Sequence, residues 1–466
     1  MRERMLGSRL VQYLSLDRAL LDVIGQLAYP VVLANLLQAT VGIIDIWMVS
    51  RLGTQSTAAV GMSRQLINVV LFSTAGLVVG NSTMVAQFTG ARRPDMVSRV
   101  AAQSIVVMLL VSLAVIVVGI LLSPVMLQVV GAGPELVSLA TPYMLVFFTL
   151  SPFLIFNFKF NAMLQGAGDT RTPLVIMVVI NVIHVFFNYM FIYGIGPFPE
   201  MGVTGAAMGT MTSRFVGTLI GFGVLFSGRF AVKLSRDVSF RPDWSLVWRM
   251  LRIGLPVAGQ NVVRTVAALA FLWVVANSAA VGFGQQANVA AYSVGIQSES
   301  FSFMPALALS VVATTLVGQA QGARDSAEAE RRGWTTGLIG VFAMSAIGVI
   351  LFVFAHQIIA VFNEAGDPLV AQVGVAYLRI NALVEPFLAL SIVMRGALSG
   401  AGDTRAPLYY TIFSQWVIRL PLSYALVMPL GIGINGAWYA MAISTVIQGV
   451  LTANHFRGNQ WKLIRV

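Results

Sequence analysis

The residues of this sequence that could do chemistry are ionisable side chains inside long apolar stretches. An ionised side chain costs about 2.5–3.5 kcal/mol at the centre of a membrane-spanning helix, so protein or water must hold each one. Such positions favour proton binding or contact with a substrate. Within the apolar stretches the acids are Asp45, Glu299 and Glu385, the histidine is His184, and the arginines are Arg64, Arg214, Arg264, Arg379, Arg395 and Arg419.

Asp45 is the first candidate for a proton-binding group. Gln38 precedes it by two helical turns on the same face. Further along, the spacing of Asn181, His184 and Asn188 predicts one polar stripe on a helix. No arginine of the first half has to pair with Asp45, and a buried carboxyl without a cation binds a proton readily. The alternative is a structural Asp held by Asn or Thr, and His184 is either structural or a second titrating group.

A second set of ionisable residues lies in the second half of the chain. Arg264, Glu299, Glu385 and Arg419 could neutralise one another in two ion pairs. A pair of that kind resists titration because each charge stabilises the other. We therefore interpret this set as structural, with substrate binding or gating as the alternative.

The composition of the chain is that of a membrane protein with many spans. Of its 466 residues 57% are hydrophobic and 10% are charged, whereas an average soluble domain has about 25% charged residues. The absence of cysteine excludes disulfides, cysteine-ligated metals and thiolate catalysis. The three histidines are scattered, so neither a membrane-embedded enzyme nor a metal or other cofactor is expected. Twelve apolar stretches predict twelve transmembrane helices, at about 20–50, 57–88, 100–122, 137–164, 173–193, 203–227, 250–279, 286–318, 334–361, 370–398, 407–429 and 434–454.

Arginine and lysine residues in the connections predict the orientation of these helices. Both termini are basic, as are the links near 90–99, 166–173, 228–252, 321–333 and 400–407. The alternate links lack lysine and arginine; they lie near 123–136, 194–202, 280–285, 362–369 and 430–433. Only Arg51, in the first of the outward turns, departs from this pattern. Because positive residues stay in the cytoplasm, both termini are predicted to be cytoplasmic. The net charge of +11 then reflects orientation, and no nucleic-acid partner is expected.

The two sides of the chain repeat one another. The segment 166–173, GAGDTRTP, recurs at 400–407 as GAGDTRAP, and other glycine and proline motifs recur at the same helix positions. The sequence therefore predicts a six-helix lobe at 1–227, a basic cytoplasmic linker at 228–249 and a second six-helix lobe at 250–466, related as parallel repeats. The repeated element predicts a tight turn with glycine at positive φ and Asp or Thr as N-cap, and gating is the alternative role.

These motifs together resemble the multidrug and toxic compound extrusion (MATE) family. The resemblance rests on the repeated GAGDTR element, the segment DIWMVSRLG that begins at Asp45, the paired Q-x-x-G-A motifs at Gln87 and Gln319, and the segment from Trp416 to Tyr424. The resemblance spans essentially the whole chain. Within the family, the chain looks most like the prokaryotic branch named after the DNA-damage-inducible protein. Membership implies a twelve-helix secondary exporter of organic cations or amphipathic toxins, driven by protons or sodium.

The resemblance also assigns residues. The first-helix aspartate of the family falls on Asp45, its fifth-helix partner on Asn188, a neighbouring asparagine on His184, and a sixth-helix threonine on Thr210. The acids that the family associates with sodium are replaced, by our alignment, with Arg264 and Leu388, which favours protons over sodium.

The sequence thus predicts a proton-coupled drug exporter that works by alternating access in the cell (inner) membrane as a monomer. Protonation of Asp45, with Asn181, His184, Asn188 and Thr210 around it, changes the first helix near Pro30. Gln38 and the second-half charges Arg264, Glu299, Glu385 and Arg419 are the candidates for substrate contact or gating. The alternatives are a sodium-coupled exporter and a flippase for lipid-linked substrates, which would need Arg264, Arg214 and Arg419 to hold phosphate.

Overall fold

The computed structural model describes residues 17–235, 237–278, 285–363 and 366–464, and all regular structure in these ranges is helical. Several basic residues used to predict topology lie outside the described residues, namely Arg2, Arg4, Arg9, Arg236 and Arg465, as does most of the link at 280–285.

The described helices follow one another with short connections. In chain order they are α1 Arg18–Ser50, α2 Thr54–Gly90, α3 Pro94–Val129, α4 Pro134–Thr149, α5 Ser151–Gly166, α6 Arg171–Tyr193, α7 Gly202–Ser227, α8 Trp244–Asn277, α9 Gln285–Glu299, α10 Phe303–Gly322, α11 Ser326–Val353, α12 Ala355–Phe362, α13 Pro368–Ala382, α14 Glu385–Ala401, α15 Arg405–Ile412, a π-helical turn Phe413–Arg419, α16 Leu420–Val427, α17 Ile434–Arg457 and a short 3-10 turn Gln460–Leu463.

The lengths and apolarity of these helices identify an all-α membrane protein. Eight of the described helices are long and apolar enough to cross a membrane, or up to eleven if each bent pair counts as one span. The pair α4 and α5 bends by 51°, and the pair α13 and α14 bends by 57°. The predicted count of twelve spans is therefore higher than the number that these helices establish, and it stays a prediction.

The chain divides into two compact units, one formed by Met1–Ala28 with Gly259–Val466 and the other by Tyr29–Ala258. Helices α1 and α8 each pass from one unit to the other close to a proline inside the helix, Pro30 and Pro256 respectively. The predicted lobe boundaries, on either side of the linker 228–249, stay a prediction.

The repeated motifs adopt the same backbone conformation in both halves. Gly168 and Gly402 each have φ of 93°, in the left-handed region that glycine tolerates. In each turn the aspartate accepts a hydrogen bond from the first turn of the next helix, Asp169 from the amide of Thr172 and Asp403 from the amide of Ala406. The predicted tight turn is thereby confirmed.

Candidate functional site

Asp45 lies on α1 within a cluster of polar side chains in the unit Tyr29–Ala258. Its side chain is 14% exposed. Asn188 of α6 donates a hydrogen bond from Nδ2 to Asp45 Oδ1 over 2.8 Å, and His184 Nε2 lies 3.4 Å from the same oxygen. The helical spacing of His184 and Asn188 therefore does bring both to one carboxylate, which lies far away in sequence.

A threonine of α7 completes the surroundings of the histidine. Thr210 Oγ1 lies 3.0 Å from His184 Nε2, and its hydroxyl also donates to the carbonyl of Ala206. His184 is buried. Nε2 of His184 therefore faces both the Thr210 hydroxyl and the Asp45 carboxylate, and from this position the imidazole can exchange a proton with the carboxylate.

The interpretation of Asp45 as a carboxylate without a cation is wrong. Arg64 NH1 of α2 lies 3.8 Å from Asp45 Oδ2. Helices α1 and α2 are consecutive and are joined by a connection of three residues. Residues that lie a few turns from this connection on either helix are therefore close to the same end of the helix pair. Helical side chains point towards the N-terminus, which directs the long Arg64 side chain back towards the connection. Distance from the connection therefore indicates that Arg64 is near enough to be a candidate partner, but it does not establish the contact.

The other two candidates on these helices contribute differently. Gln38 accepts a hydrogen bond from Arg214 NH2 of α7 over 3.2 Å, so it contacts an arginine instead of Asp45. Asn181 is buried about one turn before His184, and its Nδ2 has no hydrogen-bond partner among the described residues. The polar stripe on α6 is thus only partly engaged by the cluster.

Close packing of α6 against α7 positions Asn188. A side chain at Gly205 would meet the backbone of Phe191, and one at Gly209 would overlap Asn188 Oδ1 and lie 2.7 Å from the Asn188 backbone. Small residues spaced by four allow helices to approach closely in membranes. Gly209 therefore provides the space in which the Asn188 amide faces Asp45.

The second set of predicted site residues lies in the unit that contains Gly259–Val466, but not as two ion pairs. Among the described residues no arginine nitrogen lies within 4 Å of a carboxylate oxygen of Glu299 or Glu385. Instead Tyr377 donates a hydrogen bond of 2.5 Å to Glu299 Oε2, and Ser302 donates one of 2.9 Å to Glu385 Oε1. Neutral hydroxyl groups replace the expected guanidinium partners.

Arg419 likewise binds neutral groups. Its Nε donates to Ser444 Oγ over 2.8 Å, and its NH2 donates to Thr445 Oγ1 over 3.2 Å. Arg264, Glu299 and Arg419 do share one cavity of about 230 Å³, in which Glu385 is not a wall residue. Three of the four predicted residues therefore line this cavity, but they do not form the predicted ion pairs.

The described residues contain no group of three or more His, Cys, Asp or Glu side chains arranged to hold a metal ion. The polar clusters thus consist of single acids with amide, hydroxyl, imidazole and guanidinium neighbours, which suits proton exchange and substrate contact.

The sequence profile of the MatE family matches residues 30–190 and 256–425, one stretch in each half of the chain. The chain belongs to the MatE family. It is a multi-pass membrane transporter of that family and not an enzyme.

Curated relatives of this MatE protein match along almost the whole chain. A protein of Thermotoga maritima named "Probable multidrug resistance protein NorM" is 32% identical over 442 residues, which cover 94% of this chain and 92% of that protein. A protein of the same name from Mesorhizobium japonicum is 30% identical over 439 residues, with 91% of each chain covered.

Solved structures share the fold. A MOP superfamily transporter from Pyrococcus furiosus matches with a TM-score of 0.86 and 23% identity, over 93% of this chain and 94% of that chain. A multidrug resistance MATE family transporter in an outward-facing conformation matches with a TM-score of 0.84 and 24% identity, over 93% and 94%. The MatE protein therefore has the MATE fold.

Proposed function

We propose that this MatE protein is a proton-coupled multidrug exporter, which exchanges organic cations or amphipathic toxins for protons by alternating access. The observation that supports the coupling ion is the cluster at Asp45, whose carboxylate accepts a hydrogen bond from Asn188 and lies 3.4 Å from His184 Nε2. The names of curated relatives as multidrug resistance proteins support the substrate class.

Proton uptake acts on the pairing of Asp45 with Arg64. A proton on Asp45 cancels the charge that attracts the guanidinium, which lies 3.8 Å away. The carboxyl then becomes a hydrogen-bond donor that His184 Nε2 can accept. Helix α1 responds near Pro30, where a proline inside the helix removes one backbone hydrogen bond, and substrate leaves.

The free energy released by one entering proton limits the substrate gradient that one exchange can support. With 100 mV and one pH unit, an entering proton yields about 3.7 kcal/mol, of which about 2.3 comes from the potential. A leaving monovalent cation cancels the potential and leaves about 1.4 kcal/mol, enough for about a tenfold gradient. Steeper export of a cation needs a second proton, for which His184 is the candidate in this cluster.

The finer architecture belongs to the same proposal. We expect twelve transmembrane helices in two parallel six-helix lobes, with both termini cytoplasmic. We also expect a monomer in the inner membrane that belongs to the branch named after the DNA-damage-inducible protein. The repeated turns at Gly168 and Gly402, which have equal φ angles, support two equivalent halves.

The test is drug efflux from proteoliposomes under an imposed pH gradient. We expect Asp45→Asn to abolish gradient-driven efflux. Asp22→Asn, an exposed acid on the same helix, is the matched control and should transport normally. Undiminished efflux by Asp45→Asn would refute the assignment, and efflux driven by sodium without a pH gradient would replace protons with sodium.

A further inference from the structure

The cavity in the unit that contains Gly259–Val466 has an unusual charge balance. Its wall carries three arginines, Arg264, Arg395 and Arg419, and one carboxylate, Glu299. The remainder of the wall is apolar or uncharged, and the apolar residues include Ala268, Ile296, Phe303, Leu388, Ile392 and Met441. The cavity therefore combines a basic region with an apolar surface.

No described residue forms an ion pair with these arginines. Arg264 and Arg395 have no hydrogen bond or ion pair with any residue that the structure describes. Within the described part of the chain, Arg419 donates only to the hydroxyls of Ser444 and Thr445. The single carboxylate, Glu299, accepts its hydrogen bond from Tyr377, not from a guanidinium.

Holding several guanidinium groups together in a membrane protein is costly unless an anion balances them. The planar fork of arginine matches the two oxygens of a carboxylate or phosphate and binds them in a bidentate way. The volume of about 230 Å³ accommodates an oxyanion group with a short apolar segment, since one water molecule occupies about 30 Å³ in the liquid.

We propose that this cavity binds the oxyanion, a carboxylate or phosphate, of an amphiphilic substrate. Arg264 and Arg395 hold the oxyanion, Arg419 contributes its remaining charge, and the apolar part of the substrate lies against Ile296, Phe303 and Leu388. This assignment rests on the proposed export function and specifies, within its amphipathic substrates, those with an anionic or zwitterionic head group.

An anionic substrate would also change the driving force. A monoanion that leaves a negatively charged interior adds the potential to the proton gradient instead of cancelling it. With 100 mV and one pH unit, one proton then supports a gradient of about 10⁴-fold, compared with about tenfold for a monocation. An inside-negative potential alone should therefore drive efflux of an anionic probe.

Equilibrium binding to the purified full-length protein in a neutral detergent tests the site. Isothermal titration with octanoate, octyl phosphate and octyltrimethylammonium compares two oxyanions with a cation of the same chain length. We expect both oxyanions to bind at least tenfold more tightly than the cation. Arg264→Gln and Arg395→Gln should each weaken oxyanion binding about tenfold or more, and Arg395→Lys should weaken it less because it retains the charge.

Arg379→Gln is the matched control, because Arg379 lies on α13 with its guanidinium 5.5 Å from the Phe352 ring and is not part of the cavity wall. It should leave oxyanion binding unchanged. Cation binding as tight as oxyanion binding, or oxyanion binding insensitive to Arg264→Gln and Arg395→Gln, would overturn the proposal. Folding of each variant is checked by its thermal unfolding midpoint, and removal of an unpaired charge should not lower it.

The source of the oxyanion is resolved by repeating the octyl phosphate titration in nanodiscs. Weaker binding in phosphatidylglycerol than in phosphatidylcholine nanodiscs supports the site with a lipid head group as occupant, and equal binding supports it with a free amphiphile. These titrations measure binding without any gradient, so their result does not depend on the result of the transport test with Asp45→Asn. A failed transport test would refute proton coupling while leaving the oxyanion site measurable.

Discussion

Asn188 donates a hydrogen bond of 2.8 Å from Nδ2 to Oδ1 of Asp45, two residues that are 143 positions apart in the sequence. The opposite end of the same amide lies against Gly209 on α7, and Asn188 Oδ1 has no hydrogen-bond partner among the described residues. The amide is therefore fixed on one side by steric fit and on the other by the carboxylate. This hydrogen bond stabilises the ionised form of the Asp45 carboxylate.

Replacement of Asn188 by leucine should shift the pH dependence of transport. Leucine has a similar volume but cannot donate to Asp45, so the ionised carboxylate loses a hydrogen bond and protonation becomes easier. A hydrogen bond to a charged group contributes about 1.5–3 kcal/mol, and each 1.4 kcal/mol corresponds to one pH unit. We expect the pH of half-maximal proton-driven efflux to rise by about one unit. An unchanged midpoint would show that Asn188 does not support the charge of Asp45.

Arg64 should have an effect of the same sign through its charge. Arg64→Gln removes the cation that lies 3.8 Å from Asp45 Oδ2, which again favours the protonated carboxyl. We expect the midpoint of efflux to move to higher pH by about one unit, and the maximal rate of efflux to fall because Asp45 releases its proton less readily. Arg64→Lys retains the charge and should remain close to the unsubstituted protein. Equal midpoints for the two variants would argue against an electrostatic role.

Gly209 offers a test of positioning without any change of charge. The added methyl group of Gly209→Ala would overlap Asn188 Oδ1, so Asn188 must move away from Asp45. We expect loss of stability by about 1–3 kcal/mol, and a rise in the pH midpoint of efflux like that of Asn188→Leu.

Gly223→Ala on the same helix is the matched control. No heavy atom lies within 4 Å of the position that its Cβ would take. Alanine favours helix over glycine by about 0.8–1.0 kcal/mol, so this variant should be neutral or more stable. Thermal unfolding and the efflux midpoint would be measured for both variants. If Gly209→Ala behaved like Gly223→Ala, the fit between α6 and α7 would not control Asn188.

The sequence was sufficient for the class of fold and for the members of the Asp45 cluster on α6. Apolar stretches report directly on membrane helices, and helical spacing reports which residues share a face, as His184 and Asn188 do. Glycine in the repeated turns also followed from the sequence, because only a few residue types tolerate the positive φ seen at Gly168 and Gly402.

Contacts between different helices could not be obtained from such patterns. The pairing of Arg64 with Asp45 depends on how far each side chain reaches along its helix. The neutral partners of the second-half acids, Ser302 and Tyr377, are common residue types that carry no signal in an apolar sequence. Counting charges suggested ion pairs there, whereas the helix packing provided hydroxyl donors instead.

Tyr377 and Glu299 allow the contribution of such a hydroxyl donor to be measured. Tyr377→Phe retains the ring, whose centroid lies 5.0 Å from that of Trp438, but leaves the buried Glu299 Oε2 without its donor. An unsatisfied buried polar group costs about 1–3 kcal/mol, so the thermal unfolding midpoint in detergent should fall. Glu299→Met in the same chain removes the other partner and should restore most of the loss, since removal of both partners is nearly neutral. Tyr424→Phe, an exposed tyrosine of α16, should leave the midpoint unchanged. Additive losses in the double variant would contradict a hydrogen bond between Tyr377 and Glu299.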